Sequence, residues 1–305
     1  MMKASEAKAD RKNKVRLSCV ILNYNDAGTT EKLVRQIADY EGFHQIIVVD
    51  NASTDDSLEH LQKISSLTEK IRILSATENG GYGSGNNIGV RYAVEQGGAT
   101  HVLIANPDVV FSGQSLKAML AVFARHPEVG IVTTRIRDAR YPDLKNGWPL
   151  RSFTRELLSM GPVSRRLFGR SFDYPDSYFQ GRNAVYVGAV HGSMLMVDGE
   201  KFLEAGGYDE GIFLYEEEQI LGRRMQQSGY RSVLLLSQHY DHEHSTSISK
   251  SFSDAMKRQR IREESTLYYM KQYLNISPWQ ERFAKLWFAG IRLEMQAAKW
   301  IGINL

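Results

Sequence analysis

Short, β-branched apolar runs alternate with amphipathic stretches of helical period through the first 135 residues, and this alternation constrains the fold more than any other feature. The strand-like runs are residues 17–22, 45–49, 71–74, 101–105 and 129–134. Helical patterns cover 30–40, 57–67, 87–96 and 115–125, with Asp55 and Ser112 placed to cap two of them. Near-continuous apolar strands joined by helices predict an α/β fold with a mostly parallel central sheet covered on both faces. In such sheets ligands bind beyond the carboxyl ends of the strands, so the residues just after each strand are where chemistry is expected.

Composition narrows the class. With 42% hydrophobic and 24% charged residues, the 305-residue chain is neither disordered nor a coiled-coil rod. Its one cysteine, Cys19, excludes an internal disulfide framework or a cysteine-rich zinc cluster and suits a reducing compartment. No run reaches the ~18 uninterrupted apolar residues of a membrane-spanning helix. Residues 1–14 are polar and charged, which reads as a flexible tail and not as a signal peptide.

The pattern divides the chain into that tail, a catalytic-type domain over 15–250 and a helical extension over 251–305. Proline and glycine break up 138–185, which reads as an irregular insertion and an acceptor loop. Regular structure resumes with a strand at 193–197, a helix at 217–228 and a strand at 232–236. Two final helices, over 254–300, are broken near Ser277 and Pro278. The net charge of +3 hides an asymmetry, because residues 250–305 carry ten basic and five acidic side chains. That excess is modest and accompanies no nucleic-acid-binding module, so nucleic acid is not expected as a partner.

Polar side chains gather after the strands. The first strand runs into Asn23, Tyr24 and Asn25, the second into Asp50 and Asn51, and the fourth into Asn106-Pro107-Asp108. Asn, Asp and Ser are also ordinary turn and cap residues, and for Asp55 capping is the better reading. Between the third and fourth strands, Gly80, Gly81, Gly83 and Gly85 with Asn86 and Asn87 open a helix, a place where backbone N–H groups suit an anion. Further on, Phe213-Leu214-Tyr215 precede Glu216, Glu217 and Glu218. Apolar neighbours should draw these carboxylates inward and raise a pKa toward that of a general base. A last cluster, His239-Tyr240-Asp241-His242-Glu243-His244, is either a solvated loop or part of a divalent metal site.

In this order, Asn23-Tyr24-Asn25, the Asp50-to-Asp55 segment, Asn86-Asn87, Asn106-Pro107-Asp108, Gly206-Gly207-Tyr208-Asp209-Glu210 and Phe213-Leu214-Tyr215-Glu216-Glu217 resemble inverting family 2 glycosyltransferases over about residues 17–248. The similarity is greatest to rhamnosyltransferase-like members that build bacterial surface polysaccharide. It implies a GT-A fold, a nucleotide-diphosphate sugar donor (dTDP-rhamnose or a UDP-sugar), a saccharide or lipid-linked acceptor, and Mn²⁺ or Mg²⁺. By the resemblance, Asn23, Tyr24, Asn25, Asp50, Asn51, Gly81, Gly83, Asn86, Asn87 and Asn106 hold the nucleotide. Asp108 stands at the one surviving carboxylate of the family's Asp-x-Asp motif, and His242 or His244 at its late metal contact. Glu218 aligns with the catalytic base and Glu217 competes with it. Ile220 replaces the family's helical aspartate, and Arg224 is kept.

Sugar or acceptor contacts are expected from His191 and Gly192; Trp148 and Arg182 could add to them, though filling a small subdomain is the better reading for each of those two. In the last helix Phe283, Trp287, Ile291 and Met295 recur every four residues. That stripe suits packing on the catalytic domain or on a second subunit, as in a homodimer. It also suits a basic amphipathic helix lying on the inner face of the cell membrane, with the protein cytoplasmic. Two rival functions compete with the glycosyltransferase. A sugar-phosphate nucleotidyltransferase wants a basic glycine loop after the first strand, where Asn23-Tyr24-Asn25 stands. A non-catalytic glycan-binding scaffold draws on Asn106 and Ile220, the two departures from the family pattern.

Overall fold

The computed structural model describes residues 15–137, 145–243 and 255–300. The first half runs β1 (Leu17–Asn23), α1 (Ala27–Ile37), β2 (Phe43–Asp50), α2 (Ser57–Ile64), β3 (Ile71–Ser75), α3 (Gly81–Arg91), β4 (His101–Ala105), β5 (Val109–Val110), α4 (Gly113–Arg125) and β6 (Val129–Arg137). Next come β7 (Gly147–Trp148), α5 (Phe153–Met160), α6 (Pro162–Phe168), β8 (Ala184–Val187), β9 (Ala189–Val190) and β10 (Met194–Asp198). The chain then continues through α7 (Gly199–Glu204), α8 (Glu217–Gln227), β11 (Arg231–His242), α9 (Ala255–Tyr273) and α10 (Pro278–Trp300).

One sheet orders its strands β3-β2-β1-β4-β10-β6-β11-β5, with β8 also paired to β11. The pairs β1–β2, β1–β4, β2–β3 and β6–β11 are parallel. Strand β10 is antiparallel to both β4 and β6, so the carboxyl ends of β1, β2, β4, β6 and β11 share one edge. Alternation along each strand builds two core layers. Cys19, Ile21 and Val48 pack with α1, α2 and α4, while Val20, Ile47 and Val49 face α3 and α8. Both faces are covered, as the unbroken apolar strands require.

Three expectations need correction. Helix α3 begins at Gly81, six residues before the predicted start, because the glycines lie inside the helix and against its neighbours. The stretch expected to be irregular holds α5 and α6, the latter opened by Pro162 at its first turn; residues 138–144 lie outside the described ones. Strand β11 continues past 236 to His242, so His239 to His242 belong to the sheet and Tyr240 is fully buried.

The C-terminal helices pack onto the rest of the chain. Leu157 and Met160 of α5, Met270 of α9, and Ala284, Phe288 and Ile291 of α10 form their own core. Three members of the predicted stripe of α10, Trp287, Ile291 and Met295, pack on this core, and only Phe283 faces outward.

Candidate active site

At the edge shared by β1 and β2, the polar residues are tied to one another. Asn23, fully buried, donates from Nδ2 to Asp50 Oδ1 at 2.9 Å, and its Oδ1 accepts from Thr30 Oγ1 at 2.9 Å. Asp50 also accepts from Ser53, through the backbone N–H at 3.1 Å and the hydroxyl at 2.5 Å. Asn25 adopts φ 52° and closes the corner, its Oδ1 accepting from Thr54 N at 2.8 Å. The Asp50 carboxylate thus first stitches two strand ends together, and Tyr24, the residue after Asn23, is half-buried.

The glycine segment does not form the open cradle that its sequence suggested. Gly81 N–H donates to Asn79 Oδ1 at 3.1 Å and Tyr82 N–H to Phe213 O at 3.3 Å, so the first donors of α3 are taken. A Cβ on Gly81 would lie 2.0 Å from Phe213 O, and one on Gly83 would lie 2.9 Å from Tyr208 Cβ. These glycines let α3 approach the chain after α7. Asn87 serves the same contact: its Nδ2 donates to Tyr208 O at 3.0 Å and Glu210 Oε1 at 2.8 Å, and its Oδ1 accepts from Tyr208 N. Asn86 is bound to Tyr82 O within its own helix. Asn51 donates to Asn79 and Gly81, yet its buried Oδ1 has no protein partner.

Asp108 and His242 meet at the next corner. Strand β5 pairs with β11 so that His242 faces Val109, and His242 Nε2 lies 3.3 Å from Asp108 Oδ1. Both side chains are less than a tenth exposed. The His191 ring lies beside His242, with centroids 5.8 Å apart, and His191 Nδ1 is 2.9 Å from Ser193 Oγ. Asn106 is joined to this corner by its backbone, N–H to Ser193 O at 2.8 Å. His244 lies outside the described residues. Among the described residues no group of three or more His, Cys, Asp or Glu side chains is arranged to hold a metal ion. An oxygen and an imidazole nitrogen are nonetheless brought together, donor types that divalent cations accept.

The carboxylate corner follows directly, through the residue next to His191. Gly192 N–H donates to Glu218 Oε1 at 3.3 Å, and Gly192 O accepts from Tyr82 Oη at 2.6 Å. Glu218 is half-buried and Glu217 is 6% exposed, with its Oε1 unpartnered. Burial, then the neighbouring Glu218 charge, holds the Glu217 carboxyl well above the usual carboxylate range. Trp148 comes near through backbone pairing, since β7 lies along β9, which leads into His191. Arg182 does not join it: the side chain is exposed over the Tyr178 ring, 5.0 Å from its centroid.

Two successive left-handed residues, Tyr215 (φ 73°) and Glu216 (φ 69°), set the start of α8. Such conformations cost about 1–3 kcal/mol each and persist only where surroundings enforce them. Here α9 does so. Ser265 Oγ donates to Leu214 O at 2.6 Å and Thr266 Oγ1 to Glu216 Oε1 at 2.9 Å. Asp209 accepts from the hydroxyls of Tyr268 and Tyr273 of α9 and pairs with Arg224 at 3.0 Å, binding α8 to the Gly206–Gly207 turn. Sequence reading missed Tyr82, Ser265 and Thr266. Only Tyr82 left a trace, as the one aromatic within the glycine run.

Comparison with known proteins gives the family and the fold. The model of the family described as "Glycosyl transferase family 2" matches residues 18–186, ending before Gly192 and Glu218. An N-acetylglucosaminyl-diphospho-decaprenol L-rhamnosyltransferase of Mycobacterium tuberculosis is 30% identical over 207 residues, 63% of this chain and 64% of that protein. The low-salt glycan biosynthesis hexosyltransferase Agl10 of Haloferax volcanii is 25% identical over 203 residues, 66% of this chain and 59% of its own length. The chain thus spans somewhat under two thirds of the curated relatives it matches. Among solved structures, the mannosyltransferase PcManGT of Pyrobaculum calidifontis, in complex with GDP-Man and Mn²⁺, superposes with a TM-score of 0.58 at 14% identity. The superposition covers 97% of this chain and 83% of that one. The fold is accordingly GT-A.

Proposed function

The chain belongs to glycosyl transferase family 2, and on that premise we propose that it is an inverting, metal-dependent glycosyltransferase. It would move a sugar from a nucleotide diphosphate, dTDP-rhamnose or a UDP-sugar, to a saccharide or lipid-linked saccharide in cell-surface polysaccharide assembly. The rhamnosyltransferase named above supports both the sugar and the lipid-linked acceptor, and the Mn²⁺ in PcManGT supports the cation. We place the work in the cytoplasm at the inner membrane face.

One observation carries the reading: residues 191 and 192 join the Asp108–His242 pair to Glu218, so a cation corner and a carboxylate share one stretch of backbone. Asp108 and His242 would hold the cation, which when bound supplies positive charge against the departing diphosphate. The ends of β1 and β2, with Tyr24, Asn25 and Asn51, would take the nucleoside. Glu218 accepts the proton of the acceptor hydroxyl as its oxygen attacks the anomeric carbon and the bond to the diphosphate breaks on the opposite face. Glu217 is the rival base, but its burial keeps an acceptor away.

The test is donor hydrolysis and transfer by the purified chain with UDP-, TDP- and GDP-sugars, with and without Mn²⁺. Glu218→Gln is expected to lower turnover by about a hundredfold or more. No hydrolysis of any donor would support the glycan-binding scaffold instead. Undiminished transfer by both Glu218→Gln and Glu217→Gln would remove the base assignment.

A further inference from the structure

We infer that the outward face built by α6 and α10 is a docking surface for an anionic lipid bilayer. Of the eleven large apolar side chains exposed among the described residues, eight lie on these two helices. On α10, Trp279, Phe283, Leu286 and Leu293 follow at four-, three- and seven-residue steps, 69%, 42%, 72% and 66% exposed. These steps set them on one side of the helix, away from Ala284, Phe288 and Ile291, which pack on α5 and α9. A helix at the edge of a water-soluble domain needs one apolar face, and α10 has two. Trp279 and Phe283 stack at 5.7 Å without burying the stripe. Helix α6 extends the surface: Val163 N–H donates to Glu294 Oε1 of α10 at 2.8 Å, and Leu167 and Phe168 are 70% and 48% exposed.

Charge selects the occupant. Every exposed charged side chain on these helices is basic: Arg165 and Arg166 on α6, and Arg282, Lys285 and Lys299 on α10. The acids Glu281 and Glu294 are half-buried and bonded, to Lys285 and to Val163 N–H. A second copy meeting this face symmetrically would set like charges against each other. Anionic headgroups complement them, and Trp, Phe and Leu beside Lys and Arg are what an interfacial helix presents. No helix among the described residues is long and apolar enough to cross a membrane, so the surface would lie on the bilayer. It is close to the catalytic turn, because α5 packs on α10 through Leu157 while its Glu156 lies near Glu216 at the start of α8. The inference rests on the exposed face and not on the donor chemistry proposed above.

The full chain is sedimented with vesicles of phosphatidylcholine alone and with roughly one third phosphatidylglycerol, alongside a Leu286→Glu/Leu293→Glu variant. Wild type is expected to bind the anionic vesicles at least about tenfold better than the neutral ones, and the variant to lose that binding by a similar factor. Both positions are exposed, so the variant should melt as wild type does and hydrolyse donor in solution unchanged, which separates this result from the fate of the proposed function. Failure of wild type to pellet, or equal pelleting of the variant, would overturn the assignment. So would a dimer, seen by ultracentrifugation, that the two glutamates dissolve, because a second copy would then own the face.

Discussion

The backbone N–H of Gly192 points at Glu218 Oε1, 3.3 Å away, while the carbonyl of the same residue accepts from Tyr82 Oη. One glycine thereby fixes a candidate base on α8 through a tyrosine on α3. Side-chain space is short as well, since a Cβ on Gly192 would lie 3.3 Å from Glu218 Oε1 and 3.4 Å from Tyr82 Oη.

Tyr82 is therefore a positioning residue. Tyr82→Phe removes one part-buried hydrogen bond, a loss of about 1 kcal/mol in stability. Turnover should fall by roughly tenfold with donor KM little changed, because the hydroxyl orients the Gly192 peptide and does not touch the nucleotide corner. In a Glu218→Gln background the same change should cost turnover nothing further, since both act through one carboxylate. Full additivity in that double variant would show that Tyr82 acts elsewhere.

Asp108 and His242 are expected to act together on metal affinity. Asp108→Ala should lower turnover by about a hundredfold, and raising Mn²⁺ should recover part of that loss. His242→Ala should weaken Mn²⁺ dependence in the same direction by less, as a neutral donor contributes less charge than a carboxylate. Isothermal titration of Mn²⁺ in the presence of UDP, TDP or GDP gives the readout. Unchanged Mn²⁺ affinity in Asp108→Ala would remove that residue from the cation site.

The central strands were legible because β1 and β4 are buried on both sides, a pattern that a doubly covered sheet produces, and the strand ends followed from them. Asn23 and Asp50 were placed at the correct edge, but their mutual hydrogen bond is a cross-strand contact that spacing along the chain does not encode. The glycine run left two readings open for a physical reason. Glycine permits an anion cradle and close helix packing equally well, and here Phe213, 132 residues beyond Gly81, decides for packing. The C-terminal helices lay outside the resemblance, so nothing in the motifs showed that Ser265 and Thr266 hold the turn before Glu217.

Gly81 tests the packing account. At φ +90°, with Phe213 O only 2.0 Å from where a Cβ would stand, any side chain there is strained and obstructed at once. Gly81→Ala should destabilise the protein by more than about 2 kcal/mol, read from urea unfolding, whereas Gly28→Ala, which has open space, should be nearly silent. Equal stability of the two variants would return the glycine run to a ligand-binding role.

A pH dependence follows from Glu216. Burial first, then the nearby Glu156 charge, pushes its carboxyl up from 4.5 to about 8, against opposing help from Thr266, Arg262 and Arg151. The fold thus favours the neutral acid, while the unfolded chain ionises near the ordinary value. Its stabilising contribution is complete below the unfolded pKa and is lost as pH rises through the folded value. Glu217 is shifted the same way and adds to the trend, so wild type alone would not isolate Glu216. Glu216→Gln does: the amide keeps an oxygen for Thr266 and presents its NH₂ toward the buried Glu156 carboxylate, without titrating. The Tm of this variant minus that of wild type should be small near pH 5 and grow steadily more positive up to about pH 8. A difference that stays constant across that interval would mean Glu216 is ionised in the folded protein, leaving the left-handed turn before α8 to be held by Ser265 and the strength of the Thr266 contact alone.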